Sequence, residues 1–351
     1  MWRKVRALLN GDGLVLLKLG SLARTITSWL RREAQPSLVW KCKPIRSAIF
    51  LNDGRLVIAH DRQIVFYPFP DRQLTQMLPD GGYVAGDSTG RLIGIGKQGR
   101  VNLYRVDTGA LIGSLDCWPS GEHIYPMELH FSPDGFTLAI AEKHHSRGPE
   151  VQLWDVVHGR PIGTIRIVDP DSTVIKALAF HPDGQHLVVS SLWHGLWLVD
   201  IHRQEVIRKI QDWPSSHPAF SPNGSRLVLG LGKSVRAYDS TTWRIVYEYT
   251  LAGTEPRLPE RRLDKMFSQA VAISPDGQWL AMPTRLPSYD TFSLFSPNPP
   301  HTTLAIHRLA DGKRARLLGG HAGRVTHLLF SPDNQWLVSV GIQEVWAWRV
   351  V

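Results

Sequence analysis

Phe131-Ser132-Pro133-Asp134-Gly135 is a turn that the chain writes five times. It returns as Phe180-His181-Pro182-Asp183-Gly184, Phe220-Ser221-Pro222-Asn223-Gly224, Ile273-Ser274-Pro275-Asp276-Gly277 and Phe330-Ser331-Pro332-Asp333-Asn334. Proline presets φ for the first corner, Asp or Asn suits the second, and Gly or Asn takes the left-handed position that follows. Each copy ends one apolar run and precedes another, as in Lys176 to Phe180 and then His186 to Ser190. The unit is strand, tight turn, strand, and its repetition sets the architecture.

Two weaker copies lie upstream. Ile45 to Leu51, the turn Asn52-Asp53-Gly54 and Arg55 to Ala59 make one; Tyr83 to Gly86, Asp87-Ser88-Thr89-Gly90 and Arg91 to Ile95 make the other. Each unit continues into a third strand that ends at a pair such as Tyr104-Arg105, Trp154-Asp155, Val199-Asp200 or Tyr238-Asp239. A polar turn and a fourth strand follow, as in Asp107-Thr108-Gly109 and Ala110 to Leu115. Four short antiparallel strands per repeat, with the clear turns 40 to 57 residues apart, describe the blade of a β-propeller. The expected fold is all-β: a seven-bladed propeller of four-stranded antiparallel blades over residues 36–351, with a short amphipathic helix in the 1–35 extension.

Trp154-Asp155 after its turn, and Gly320-His321 ahead of Phe330, resemble the WD-repeat family over roughly residues 37–351. One repeat keeps Trp-Asp and one keeps Gly-His; in the last, Ile342 stands where the turn Asp of the family belongs. The resemblance implies a propeller that binds protein partners.

The chain ends agree with a closed ring. The seventh repeat stops at Val351 after three strands, and Leu38 to Cys42 is a strand without a repeat of its own. Supplying that strand as the seventh blade's outer edge leaves no open sheet edge between the ends.

The 351 residues are 43% hydrophobic and 20% charged, a composition able to bury a sizeable core. The two cysteines, Cys42 and Cys117, have no paired spacing, which speaks against a disulfide framework and fits a cytoplasmic protein. Of the net charge of +9, five charges belong to the first 35 residues, so nucleic-acid binding does not follow from the pI. Within residues 14–32, Leu19, Leu22, Ile26, Trp29 and Leu30 recur at helical spacing, with Lys18, Arg24, Arg31 and Arg32 mainly on the other side. Lys18 and Arg24 interrupt the run too early for a membrane span. An amphipathic basic helix of this kind lies on an anionic membrane, docks a partner, or packs on its own domain.

Sites for chemistry are sparse. Gly94-Ile95-Gly96-Lys97-Gln98-Gly99 has a nucleotide-loop spacing, but a strand follows it where phosphate binding needs a helix N-terminus. His144-His145 is the densest histidine pair and has no third ligand nearby. The innermost strands begin at Arg46, Tyr83, Glu128, Lys176, His217, Gln269 and His327; one carboxylate among seven is a poor metal cage. No catalytic residue, cofactor or metal is expected, and the alternative is a propeller enzyme or an accessory domain of an enzyme complex. Two long connections in the sixth repeat stand out. Ala252 to Lys265 carries Arg257, Arg261 and Arg262; Pro283 to Thr302 carries Tyr289, Phe292 and Phe295. A four-strand meander brings both out on one face of the ring, where aromatic anchors with basic neighbours make a partner-binding patch. The expected function is a non-catalytic protein-interaction scaffold that binds there. Peripheral membrane attachment through residues 14–32 is the further alternative.

Overall fold

The structure is a computed structural model. It describes residues 33–34, 36–97, 99–117, 126–142, 150–167, 175–191, 195–212, 216–231, 234–250, 270–285, 302–321 and 325–350. Two short strands come first, β1 (Glu33–Ala34) and β2 (Leu38–Lys41). Blade one is β3 (Ser47–Phe50), β4 (Arg55–Ala59), β5 (Ile64–Pro68) and β6 (Gln76–Leu78). Blade two is β7 (Tyr83–Gly86), β8 (Leu92–Lys97), β9 (Arg100–Arg105) and β10 (Leu111–Asp116). Blade three is β11 (Pro126–Phe131), β12 (Thr137–Glu142), β13 (Glu150–Asp155) and β14 (Arg160–Arg166). Blade four is β15 (Ile175–Phe180), β16 (His186–Ser191), β17 (Gly195–Asp200) and β18 (Glu205–Gln211). Blade five is β19 (Ser216–Phe220), β20 (Arg226–Leu231), β21 (Ser234–Asp239) and β22 (Ile245–Thr250). Blade six is β23 (Ala272–Ile273), β24 (Trp279–Arg285), β25 (Thr302–Arg308) and β26 (Arg314–His321). Blade seven is β27 (His327–Phe330), β28 (Trp336–Val340) and β29 (Glu344–Arg349).

Every blade is an antiparallel meander, and the innermost strands neighbour one another around a full circle, with β27 beside β3. The circle closes as the sequence predicts: β2 pairs antiparallel with β29, Leu38 opposite Ala347 and Lys41 opposite Glu344. One pairing has no sequence signal. β1 adds to the outside of blade six, parallel to β26, with Glu33 opposite Leu317 and Ala34 opposite Leu318. Those two residues fall inside the stretch assigned to the helical extension; the helix itself, residues 14–32, lies outside the described residues.

Seven apolar clusters hold the ring together, and each spans two adjacent blades. Leu129, Leu138 and Trp154 of blade three pack against Val101 and Leu115 of blade two, for example. Across the closure, Val345 and Ala347 pack with Ile45, Leu56 and Ile58, and Leu38 and Trp40 of β2 lie against the same cluster. Because both faces of a blade are covered, middle strands read as unbroken apolar runs: Leu56 to Ala59 is buried throughout. Outer strands are covered less: β10 exposes Leu111 and Ile112 while burying Leu115.

The turns have a partner that their Pro-Asp-Gly chemistry did not foretell. The Ser132 hydroxyl donates to Asp134 and accepts from the Thr137 backbone N–H at 2.9 Å. The same pair of bonds recurs at Ser221, Ser274 and Ser331. All four serines are buried, and a hydroxyl is the smallest group that can both donate and accept there. Gly135 follows with φ +77°, the left-handed corner that favours glycine. In blade two Asp87 takes the serine's place and accepts from the Leu92 N–H at 2.9 Å.

Sequence bounds shift in blade six. Pro283 belongs to β24, opposite Leu304, and pairing continues to Arg285 opposite Thr303 after an irregularity where proline offers no N–H. Gly320-His321 belongs to the end of β26, with His321 opposite Thr302, rather than to a connection.

Candidate functional site

The ring encloses a central channel of about 460 Å³, walled by the innermost strands. Of the seven strand-start positions, Arg46, Tyr83, Glu128, His217 and His327 line it; Lys176 does not, and Gln269 lies outside the described residues. Glu128 faces His130 at 3.5 Å, and Arg46 pairs with Asp61 at the mouth. The His217 and His327 rings lie 6.5 Å apart across the wall. Burial within the channel pushes the His327 pKa down to about 4, so the ring is neutral at physiological pH, with Nδ1 3.0 Å from the Thr326 hydroxyl. The channel thus combines one carboxylate, Glu128, with three imidazoles and the Asp61-paired Arg46, and its walls are largely apolar between them.

On the face of the repeated turns, the Asp that ends the third strand of blades three, four and five caps the turn to the fourth. Asp155 accepts backbone N–H groups from Val157 and His158 and faces the His158 ring at 2.7 Å. These contacts, the His158 backbone bond first, hold its carboxyl below the usual range. Asp200 and Asp239 do the same with the amides two and three residues on, His202 and Arg203 for one and Thr241 and Thr242 for the other. The Asp of Trp154-Asp155 is therefore a turn cap, with no free carboxylate for chemistry. Trp154 donates through Nε1 to Gln152, whose amide donates to the Cys117 carbonyl of blade two. Tyr238 donates to Gln211 of blade four, and Tyr104 to Asp80 of blade one's outer edge. Aromatic residues near the ends of third strands thus tie neighbouring blades together through hydrogen bonds as well as packing.

Gly94 to Lys97 lie in β8, and Lys97 pairs opposite Arg100 at the start of β9, which agrees with reading the stretch as leading from strand to strand. The patch residues Arg257, Arg261, Arg262, Tyr289, Phe292 and Phe295, the helix residues Leu19, Leu22, Ile26, Trp29 and Leu30, and His144-His145 all lie outside the described residues. Sequence reading missed a different group. Among the described residues, one set of three metal-ligating side chains comes together: His181, Asp183 and His186, on the turn of blade four. The signal was present in the fourth-blade copy, where histidine replaces the serine of its siblings.

The model for the WD domain, G-beta repeat, matches residues 159–198 and 312–342. No curated protein sequence matches the chain. Among solved structures, a chain of the crystal structure of a mitotic checkpoint complex superposes with a TM-score of 0.69 at 16% identity. That match covers 90% of this chain and 92% of the other, a likeness of fold. With two matched repeats, seven four-stranded blades and terminal closure, the chain is a WD-repeat β-propeller.

Proposed function

We propose that this propeller is a non-catalytic protein-interaction scaffold whose partner docks on the loop face, chiefly at the sixth repeat. The family supports the first half, since WD-repeat propellers are generally interaction scaffolds. The observation that carries the second is the departure of blade six from its siblings. Between second and third strands the other blades use two to seven residues, and blade six uses sixteen. That insertion, with Tyr289, Phe292 and Phe295, springs from a hairpin paired to Arg285 opposite Thr303, so its base is fixed. Twenty-one residues, including Arg257, Arg261 and Arg262, lead from β22 into the same blade. Aromatic anchors with arginines at the rim suit a protein surface.

The test is affinity capture from a native extract with wild type and with Tyr289, Phe292 and Phe295 replaced by alanine. Loss of the captured partner with an unchanged melting curve supports the reading; retained capture moves the site elsewhere. A second reading concerns the basic segment before β1. Because β1 fastens residues 33–34 to β26, the helix of residues 14–32 would be tethered to blade six, where it could meet an anionic membrane. Flotation with anionic liposomes, comparing the full chain with one lacking residues 1–32, tests it. Equal flotation of both rejects it.

A further inference from the structure

The fourth-blade turn differs from its siblings in the route its hydrogen bonds take. Where serine accepts the amide five residues on, His181 does not; the His186 N–H turns to Asp183 Oδ1 at 3.2 Å, shared with Gln185 N–H at 2.8 Å. Asp183 Oδ2 is left free of backbone donors and faces two imidazoles, His186 Nδ1 at 2.7 Å and His181 Nδ1 at 3.0 Å.

The tautomer of His181 is fixed from outside. Its Nε2 lies 3.0 Å from the Gly224 carbonyl of the neighbouring turn, a group that only accepts, so Nε2 carries the hydrogen. The Asp183 N–H, 3.1 Å away, points at Nδ1, which therefore presents its lone pair. Asp183 Oδ2 lies 3.0 Å from the same nitrogen, so two acceptors approach one another there, and a cation would take the lone pair over from the Asp183 N–H. A cation between them turns the repulsion into coordination. The ring N–H to a backbone carbonyl is also the support that metal-bound histidines use. Gly224 makes room for it: a Cβ there would come within 2.9 Å of the His181 ring.

We propose that His181, Asp183 and His186 bind one divalent transition-metal ion, with an open coordination position facing the cavity between the turns of blades four and five. One ligand atom from each residue lies within 4.8 Å of the other two. Tetrahedral coordination at about 2.0–2.2 Å requires ligand atoms roughly 3.3–3.5 Å apart, so the pairs at 2.7 and 3.0 Å need to open by about 0.3–0.8 Å. Two imidazoles and one carboxylate suit zinc, cobalt or nickel rather than calcium or magnesium. Three protein ligands leave a position for water or for a side chain brought by a partner. The adjoining cavity of about 450 Å³, bounded by Asn223, Ser240, Thr241 and Trp243, gives access to it.

The test is a cobalt(II) titration of the untagged full chain, read by visible absorption and calorimetry, with zinc competition. The variants are His181→Ser, which installs the sibling serine, and Asp183→Asn. Wild type is expected to take up one equivalent with a ligand-field spectrum that zinc abolishes, and zinc should raise its melting temperature. His181→Ser should keep the metal-free melt and bind that equivalent at least about tenfold more weakly. No cobalt uptake by wild type, or equal affinity in His181→Ser, would overturn the site.

Discussion

A buried hydroxyl that donates once and accepts once is the smallest repeated part of this protein, and its removal should be felt locally. Replacing Ser274 by alanine leaves the Trp279 N–H without its 2.9 Å acceptor and removes one of the two donors to Asp276, the Gln278 N–H remaining. The expected cost is about 1–2 kcal/mol in a denaturant titration. Asn334 holds φ +59° in the last copy and accepts from the Asp276 N–H of blade six at 3.0 Å. Asn334→Ala loses both the tolerance and the bond, so it should destabilise more than Asn334→Gly. The channel supplies a pH dependence. His327 is held neutral, its pKa pushed from 6.5 to about 4, so above pH 6.5 its contribution to stability is complete. As pH falls from 6.5 towards 4 the unfolded chain takes up a proton that the native one refuses, and stability declines by about 2–3 kcal/mol. Burial lowers the His307 pKa and adds in the same direction. His327→Gln should flatten this part of a stability–pH curve; an identical slope would show that His327 is solvated. At this scale the sequence was half legible. Pro, Asp and Gly announced the turn, because each acts on its own backbone. The serine and His181 did not announce their roles, because their partners are set by folding: an amide five residues on, and a carbonyl in the next blade.

The strand that joins the two ends is the element on which the ring depends. β2 contributes four paired residues to blade seven and lays Leu38 and Trp40 against the cluster shared with blade one. Deleting residues 36–43 exposes the edge of β29 and opens that cluster. The melting temperature should fall by at least about 5 °C; an unchanged melt would mean that the ring holds without its closing strand. This strand could be foreseen because a seventh repeat with three strands and an orphan strand at the other terminus complete each other. β1 could not be foreseen: two residues, Glu33 and Ala34, carry no periodicity, and only the edge of β26 gives them a partner. The bounds of the sixth-blade insertion were also misplaced. Pro283 and its neighbours read as loop because proline lacks the donor a ladder needs, yet an irregular register accommodates it.

Across the whole molecule, regularity and function separate. Seven similar blades packed pairwise give a ring whose shape is decided by repeated turns and unbroken apolar strands, and that much was readable from spacing alone. The candidate sites lie where repetition fails: the histidines of blade four, and the two insertions with the extra edge strand of blade six. The two faces make the docking proposal separable. Connections into and within blade six leave from the loop face, whereas the capped turns, with exposed Lys313 beside Asp311, lie on the other. The most direct measurement is cross-linking mass spectrometry on the wild-type chain captured with its partner, using a reagent that joins lysine amines. Intermolecular links at Lys265, in the connection that leads into blade six, are the predicted result; links confined to Lys313 and the turn face would contradict the account.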